Sequence, residues 1–192
     1  MDAQAVKAVR GGGSNNIGVV GYGLVGHTAV ALGIARRALQ EIAEIANERR
    51  RPHYPSTLAE HPVFRHEYAV QDASFEAVRA HAYQLYFEAH AVAMSGREIS
   101  PLLWAKLRQN MIYAHNVATE VIRFCYIQAS TNSLRNPSVL GRCMRDILVS
   151  DQHLLVDMTH MVETAGPLLE ERRAELAAGR GVSLSPMPVT SR

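Results

Sequence analysis

Apolar residues recur at helical spacing along most of this chain. The pattern predicts four long helices over approximately residues 21–50, 62–94, 101–130 and 137–165, separated by connections that contain proline or glycine. The third has the cleanest apolar stripe, formed by Leu107, Met111, Ala114, Ala118, Val121, Cys125 and Ala129. Four helices of about 30 residues with short connections, and no strand candidate of weight, predict an all-α fold, an antiparallel four-helix bundle.

The fourth predicted helix has two unlike faces. Its apolar stripe consists of Leu140, Met144, Ile147, Leu154, Met158, Val162 and Ala165. The opposite stripe carries Arg142, Asp146, Val149, His153, Val156 and His160. Valines among the charges favour a face that is covered by a polar ligand or another subunit. The alternative is an ordinary solvated face on which Arg142 pairs with Asp146 at i,i+4 spacing.

The ends of the chain lack this periodicity. Residues 1–20 include the run Gly11-Gly12-Gly13-Ser14 and predict a flexible lead-in, while residues 21–170 form the bundle domain. Gly166-Pro167 is expected to kink or end the fourth helix. Residues 171–192 are expected to add a short helical extension and a disordered tail.

Composition narrows the functional classes. The chain has 192 residues, 47% of them hydrophobic, which is compatible with one domain and a sizeable core. A formal net charge of +2 gives no support for nucleic-acid binding beyond Arg49-Arg50-Arg51, which we interpret as helix capping. Cys125 and Cys143 both lie in apolar helical patterns and indicate buried thiols. With no signal-peptide core and no run of about 18 apolar residues, we expect a soluble, cytoplasmic protein without a membrane partner.

Two further patterns, a glycine motif and the spacing of acidic and histidine residues, bear on cofactor and metal binding. Gly21-x-Gly23-x-x-Gly26 has the spacing of a dinucleotide-binding turn, but the acid that should end a second strand, Glu41, lies in the middle of a predicted helix. Small residues that allow close helix packing are therefore the favoured interpretation. No Glu-x-x-His pair is present for a carboxylate-bridged metal site, and we predict no metal.

Three segments together resemble a known family. They are Gly26–Leu39, Arg49-Arg50-Arg51 with Leu58–Pro62, and Arg142-Cys143-Met144-Arg145-Asp146 followed by Gln152-His153. They look like the C-terminal helical domain of the acyl-CoA dehydrogenase superfamily. The similarity covers roughly residues 21–169 and is closest to the flavin-dependent monooxygenase branch. Members of that branch hydroxylate aromatic or sulfur heterocyclic substrates with reduced flavin from a separate flavin reductase.

The resemblance implies a cofactor and an assembly. The domain would form the core of a homotetramer and supply part of an FAD or FMN site at subunit contacts. His153 would lie near the flavin ring, where it stabilises a flavin hydroperoxide or deprotonates the substrate. Arg142, Arg145, Asp146 and Arg50 would organise the cofactor site, with guanidinium groups available for phosphate or carbonyl oxygens.

Two departures from the family pattern limit the function. Leu154 stands where dehydrogenases that use a base in this helix have Glu, which disfavours acyl-CoA desaturation. Full-length members also have an N-terminal helical domain and a middle β-domain that this chain lacks. Three hypotheses follow: a monooxygenase C-terminal domain, completed by a partner subunit if it is not a fragment; a non-catalytic oligomerisation module; and a nucleotide-binding regulator that uses the glycine motif.

Overall fold

The computed structural model describes residues 12–50 and 55–178. Its helices are α1 (Gly18–Glu48), α2 (Pro62–Met94), α3 (Pro101–Gln128), a short α4 (Thr131–Leu134), α5 (Val139–Ser150) and α6 (Thr159–Ala177). Among these residues the β-type pairing consists of one isolated bridge, between Arg50 and Thr57.

The long helices alternate in direction. Asn16, beside the start of α1, donates to the carbonyl of Ala93 near the end of α2, and Gln128 at the end of α3 donates to Glu67 near the start of α2. Helices α1 and α3 therefore run parallel to each other and antiparallel to α2. Because α5 and α6 together supply the fourth rod, the predicted all-α four-helix bundle is confirmed.

Local sequence sets most of the helix starts. Pro62 occupies the first turn of α2, and the hydroxyl of Ser100 accepts a hydrogen bond from the N–H of Leu103 to cap α3, both as predicted. Helix α1 begins earlier than predicted, after a 3-10 helix at Gly13–Ile17 with a buried Ile17. Part of the expected lead-in is thus packed. Residues 1–11 and 179–192 lie outside the described residues.

Helix α3 is the centre of the bundle. Its predicted apolar stripe is buried throughout, with no member more than 1% exposed. Helical spacing predicts a buried stripe along α1 formed by Val25, Ala29, Leu32, Leu39, Ile42 and Ala46. Only its second half, Leu39, Ile42 and Ala46, is buried. In the first half Leu24, Ala31 and Ala35 are buried instead, and the expected residues Val25, Ala29 and Leu32 line a cleft beside α2. An alanine-rich helix offers two faces of similar hydropathy, so its rotation depends on its neighbours.

The first helical stretch, Gly13–Glu48, is long and apolar enough to cross a membrane by length and composition, with a best-window mean hydropathy of 1.7. A core helix of a helical bundle meets the same criteria of length and composition. Its buried residues extend from Gly21 to Ala46, as the packing of a core helix along α3 requires. The first arginine of the predicted capping run contacts the ends of two helices. The N–H of Arg49 donates to the carbonyl of Ile45 in the last turn of α1, and its guanidinium donates to the carbonyl of Gln128 at the end of α3. Arg51 lies outside the described residues.

The fourth helix is not continuous. Helix α5 begins at Val139, capped by the hydroxyl of Ser138, and not at Pro137 as predicted. It ends at Ser150, and a 3-10 helix at Leu154–Val156 precedes α6. Of the two outcomes predicted for Gly166-Pro167, a kink or an end of the helix, the end is excluded, since α6 runs through Pro167 to Ala177.

The apolar stripe of the fourth helix is correct only before this break. Leu140 and Ile147 are buried, whereas Leu154, Met158 and Val162 are exposed. A helical stripe holds its direction only while the helix continues, so the break ends the predicted register.

Candidate functional site

A break in the fourth helix, over residues 151–158, builds the candidate site. The segment contains neither glycine nor proline. Asp151, the first residue after α5, places one carboxylate oxygen 2.7 Å from Nδ1 of His115 and accepts a hydrogen bond from Thr119 Oγ1 on the other oxygen, also at 2.7 Å. His115 and Thr119 stand one turn apart on α3. Both carboxylate oxygens are therefore engaged, and the end of α5 is tied to the middle of the central helix.

The imidazole of His115 is buried, with 1% of its surface exposed. Since an ionised carboxylate only accepts hydrogen bonds, Nδ1 of His115 carries the hydrogen that it donates to Asp151. In the neutral ring Nε2 then holds a lone pair. That atom is buried and has no hydrogen-bond partner among the residues that the structure describes. Buried polar atoms without partners are rare, so the state of this Nε2 atom is unusual.

His153 lies two residues after Asp151 and caps the 3-10 helix. Its Nδ1 accepts a hydrogen bond from the N–H of Leu155 at 3.2 Å. A nitrogen that accepts carries no hydrogen, so the neutral ring has its hydrogen on Nε2. The side chain is exposed, and Nε2–H is the group that it offers to a molecule lying on this surface.

A third imidazole joins the other two. The ring of His27, on α1, lies 4.2 Å from that of His153 and 5.8 Å from that of His115, centroid to centroid. Partial burial lowers the pKa of His27, and the neighbouring His153 and His115 lower it further. His27 is therefore neutral at pH 7. Together the three rings and Asp151 form a cluster of hydrogen-bonding groups that extends from the core to the surface.

The predicted cofactor residues divide between two places. Arg142, Arg145 and Asp146 are exposed on α5, along the helix that ends at Asp151. Arg50 lies beyond the far end of α1 from His27, roughly 30 Å away at about 1.5 Å per helical residue, and its guanidinium donates to the carbonyl of Pro55. Within one chain the structure does not bring Arg50 together with His153.

The glycine motif serves packing. All three glycines lie inside α1, and none of the described residues before them, 12–17, forms a strand, so the dinucleotide-binding turn of the third hypothesis is excluded. A Cβ on Gly21 would lie 2.6 Å from the side chain of Ile17, and one on Gly23 would lie 2.9 Å from Cδ1 of Leu155. Gly23 therefore lets the 3-10 helix of the break approach α1. The favoured interpretation of the motif, close packing, is confirmed at these two positions.

Neither metal nor reactive thiol stands out. Among the described residues no three His, Cys, Asp or Glu side chains converge on a point that could hold a metal ion. Cys125 and Cys143 are free and buried, as predicted. Burial raises the pKa of Cys125 to about 12 and also raises that of Cys143. Both thiols are therefore protonated at neutral pH and act as core residues.

Sequence reasoning found His153 but missed His27, His115 and Asp151 as its neighbours. His27 and His115 each occupy a position in an otherwise apolar helix, a pattern that does not reveal which side chains meet. Asp151 and His153 stand two apart, a spacing at which helical side chains diverge. The proximity of Asp151 and His153 to the same site follows only from the break in the helix.

Comparison with known proteins agrees with this architecture. Residues 25–158 match the family described as acyl-CoA dehydrogenase, C-terminal domain. An indole-3-acetate monooxygenase from Pseudomonas putida is 30% identical over 134 residues, which are 69% of this chain and 34% of that protein. The enzyme of the same name from Acinetobacter baumannii is 27% identical over 126 residues, 66% of this chain and 32% of that protein. The chain thus spans about a third of the length of these relatives.

Solved structures show the same fold. XiaF from Streptomyces sp., in complex with FADH2 and glycerol, superposes with a TM-score of 0.71 at 17% identity, over 77% of this chain and 38% of that one. Butyryl-CoA dehydrogenase from Megasphaera elsdenii superposes with a TM-score of 0.64 at 22% identity, over 77% and 36%. The fold is the C-terminal helical domain of acyl-CoA dehydrogenases and related flavin monooxygenases. With residues 25–158 matched, the chain belongs to the acyl-CoA dehydrogenase C-terminal domain family.

Proposed function

We propose that this chain is the C-terminal, flavin-site and oligomerisation domain of a flavin-dependent monooxygenase. Similarity to two indole-3-acetate monooxygenases supports this function over dehydrogenation, as does Leu154 at the position where the dehydrogenases carry their glutamate base. Because the chain spans about a third of those relatives, further domains on the same or another polypeptide would complete the enzyme. FAD or FMN would be the cofactor, reduced by a separate flavin reductase.

The observation that carries the proposal is the state of His153 at the helix break. Its Nδ1 is occupied by the N–H of Leu155, and Nε2–H is available at the surface. A neutral imidazole held in this way donates a hydrogen bond to an oxygen atom. The same ring does not present a lone pair on Nε2. Of the two roles implied by resemblance, donation to the reacting oxygen therefore suits this geometry better than removal of a substrate proton.

The surface around His153 has the chemistry that a flavin edge requires. Val149 is 70% exposed and Leu154 is 74% exposed, so apolar surface flanks the imidazole on both sides. Arg142 and Arg145 add guanidinium donors about two to three helical turns earlier, able to bind phosphate or carbonyl oxygens. Reduced flavin, when bound, supplies the activation of molecular oxygen. The residues of this chain would orient the reacting oxygen, and the missing domains would exclude water.

A second surface suits subunit contact. Helices α1 and α2 border an open cleft of about 290 Å³, lined in part by Leu32, Phe75 and Tyr86. Beside it on α2, Tyr83 stacks on Phe87, and both aromatic side chains are more than half exposed. Exposed aromatic and aliphatic side chains next to an apolar cleft are typical of interfaces. We expect a soluble, cytoplasmic homo-oligomer, a tetramer by resemblance, with no membrane or nucleic-acid partner.

This surface also supports the alternative function, a non-catalytic oligomerisation module. An oligomer could form through the α1–α2 cleft whether or not the histidine cluster takes part in chemistry. The two functions therefore differ in the behaviour of His153, and not in the oligomeric state.

The function is tested by flavin binding and by one histidine substitution. FAD and FMN are titrated into the purified chain, alone and with a protein that carries the missing domains, while flavin fluorescence is recorded. Turnover of the assembled enzyme is then assayed with reduced flavin, oxygen and indole-3-acetate, the substrate named for the relatives. His153→Ala is expected to lower hydroxylation by about 10²–10³, the usual effect of removing one positioned hydrogen-bond donor to a reacting oxygen. His81→Ala, at an exposed histidine on α2, is the matched control.

Two outcomes would contradict the catalytic proposal. One is a flavin-loaded assembly in which His153→Ala hydroxylates as fast as the unmodified protein. The other is an oligomer that binds no flavin in the presence of the missing domains, which would favour the non-catalytic module.

A further inference from the structure

The break between α5 and α6 contains two local caps, from His153 to the N–H of Leu155 and from Asp157 to Thr159, which start the next helices but do not end α5. Residues 151–158 contain no proline and no glycine, the residues that usually interrupt a helix. The backbone changes at His153, where φ is −72° and ψ is 140°, an extended conformation. Contacts with other parts of the bundle must therefore hold the chain out of helical geometry.

Asp151 provides the strongest of these contacts. Its two carboxylate oxygens bind His115 Nδ1 and Thr119 Oγ1, each at 2.7 Å. Both partners belong to α3, where Ala114, Val117 and Ala118 beside them are buried. Asp151 itself keeps a helical backbone, with φ −68° and ψ −17°, and its N–H donates to the carbonyl of Ile147. The attachment of its carboxylate to α3 therefore anchors the end of α5 two residues before the chain becomes extended at His153.

A second contact is made by Leu155, which packs against Gly23 of α1. Val156, only 6% exposed, anchors the same 3-10 helix in the core. His153 lies between the two anchors, Asp151 on one side and Leu155–Val156 on the other. Its backbone is thereby fixed from both directions, and its ring meets that of His27.

We propose that His115, Asp151 and Thr119 are positioning residues for His153. The part-buried His115–Asp151–Thr119 unit anchors the end of α5 and so holds the imidazole of His153, with its hydrogen on Nε2, at the surface beside His27. The functional part of this inference rests on the proposed function, because His153 is the group that would touch the reacting oxygen. The positioning itself is a property of the chain without flavin.

The isolated chain is therefore the right material for the test. With histidine labelled in ¹⁵N, two-bond ¹H–¹⁵N correlation spectra report which imidazole nitrogen carries the hydrogen. In the unmodified chain we expect a fixed Nε2–H form for His153 and an Nδ1–H form for His115. Hydrogen exchange of the Leu155 N–H, which donates to His153 Nδ1, provides a second and independent measurement.

Asp151→Ala removes both contacts to α3. We expect the spectrum of His153 to become an average of the two tautomers, and exchange of the Leu155 N–H to rise by about tenfold or more, the factor that corresponds to one charge-assisted hydrogen bond. Asp151→Asn keeps an oxygen and a donor in the same place and is expected to restore the fixed form of His153. Thr119→Val, which removes only one contact, should raise exchange in the same direction by a smaller factor.

Asp157→Ala is the matched control, because this carboxylate lies in the same segment but only caps α6. Its oxygen accepts from the N–H and the hydroxyl of Thr159, both at 2.8 Å. If its loss disturbed His153 as much as the loss of Asp151, the effect would be one of general loosening and the proposal would be overturned. An unchanged His153 tautomer and unchanged Leu155 exchange in both Asp151→Ala and Thr119→Val would overturn it as well.

The outcome is separable from that of the proposed function. A chain that shows these tautomers and their loss in Asp151→Ala, yet binds no flavin in its assembly, would retain the positioning unit and refute the flavin function alone. If Asp151→Ala does not fold, the comparison of Thr119→Val with Asp157→Ala decides the question by the same two measurements.

Discussion

Replacement of Asp151 by alanine should be costly for the stability of the bundle. The change removes the hydrogen bonds that the carboxylate accepts from His115 and Thr119. Hydrogen bonds to a charged group contribute roughly 1.5–3 kcal/mol each. The side chain of Asp151 is 29% exposed, so solvent screening favours the lower end of that range. Two bonds at about 1.5 kcal/mol give a loss of about 3 kcal/mol in the free energy of unfolding.

Urea denaturation followed by far-ultraviolet circular dichroism measures this loss. With a slope of about 2 kcal/mol per molar, the midpoint should fall by about 1.5 M. Thr119→Val, which removes one of the two bonds, should lose about half as much. The slope should stay unchanged, because neither substitution alters the surface exposed on unfolding.

Asp157→Ala again serves as the reference. Its carboxylate is fully exposed, and a smaller shift of the midpoint is expected. The reasoning would be refuted if Asp151→Ala shifted the midpoint by no more than Asp157→Ala. It would also be refuted if Thr119→Val had no effect, since the hydrogen bond from Thr119 to the carboxylate would then contribute nothing to the free energy of unfolding.

Three further predictions concern the helices and the core. Gly26→Ala should raise the free energy of unfolding by roughly 0.5–1 kcal/mol in thermal denaturation, because the added methyl meets no atom within 4 Å. Gly141→Ala should lower the free energy of unfolding, since its Cβ would lie 2.6 Å from the carbonyl oxygen of Ser133. Because folding lowers the pKa of His27, the free energy of unfolding should decrease as the pH falls below about 6.5 and level off below the folded-state pKa. His27→Gln should remove this component of the pH dependence, as measured by urea titrations at several pH values. Cys125, whose pKa burial raises to about 12, should react with a thiol reagent only after unfolding; reaction at the rate of a free thiol in the native protein would contradict the buried assignment.

The architecture could be predicted because its determinants are local and periodic. The helical spacing of apolar residues in α2 and α3, together with Pro62 and the cap at Ser100, indicated where these helices run and which face they bury. In the first half of α1 the same reasoning selected the wrong face. Alanines and glycines there offer two faces of similar hydropathy, and contact with α3 decided between them.

The candidate site depended on tertiary structure to a much greater degree. His153 is visible in the sequence by its resemblance to a family, but the residues that hold it in place are not. No glycine or proline follows Ser150 in the break, and periodicity therefore predicted one continuous helix from residue 137 to residue 165.

The sequence by itself determined that the chain folds into a bundle of long helices and that the fourth carries Arg, Asp and His on one face. Only the tertiary structure decided where the chain after Ser150 lies, because the carboxylate of Asp151 is bound by His115 and Thr119 of α3. That contact between residues far apart in sequence cannot be seen along the chain. It is also what brings His27, His115 and His153 together.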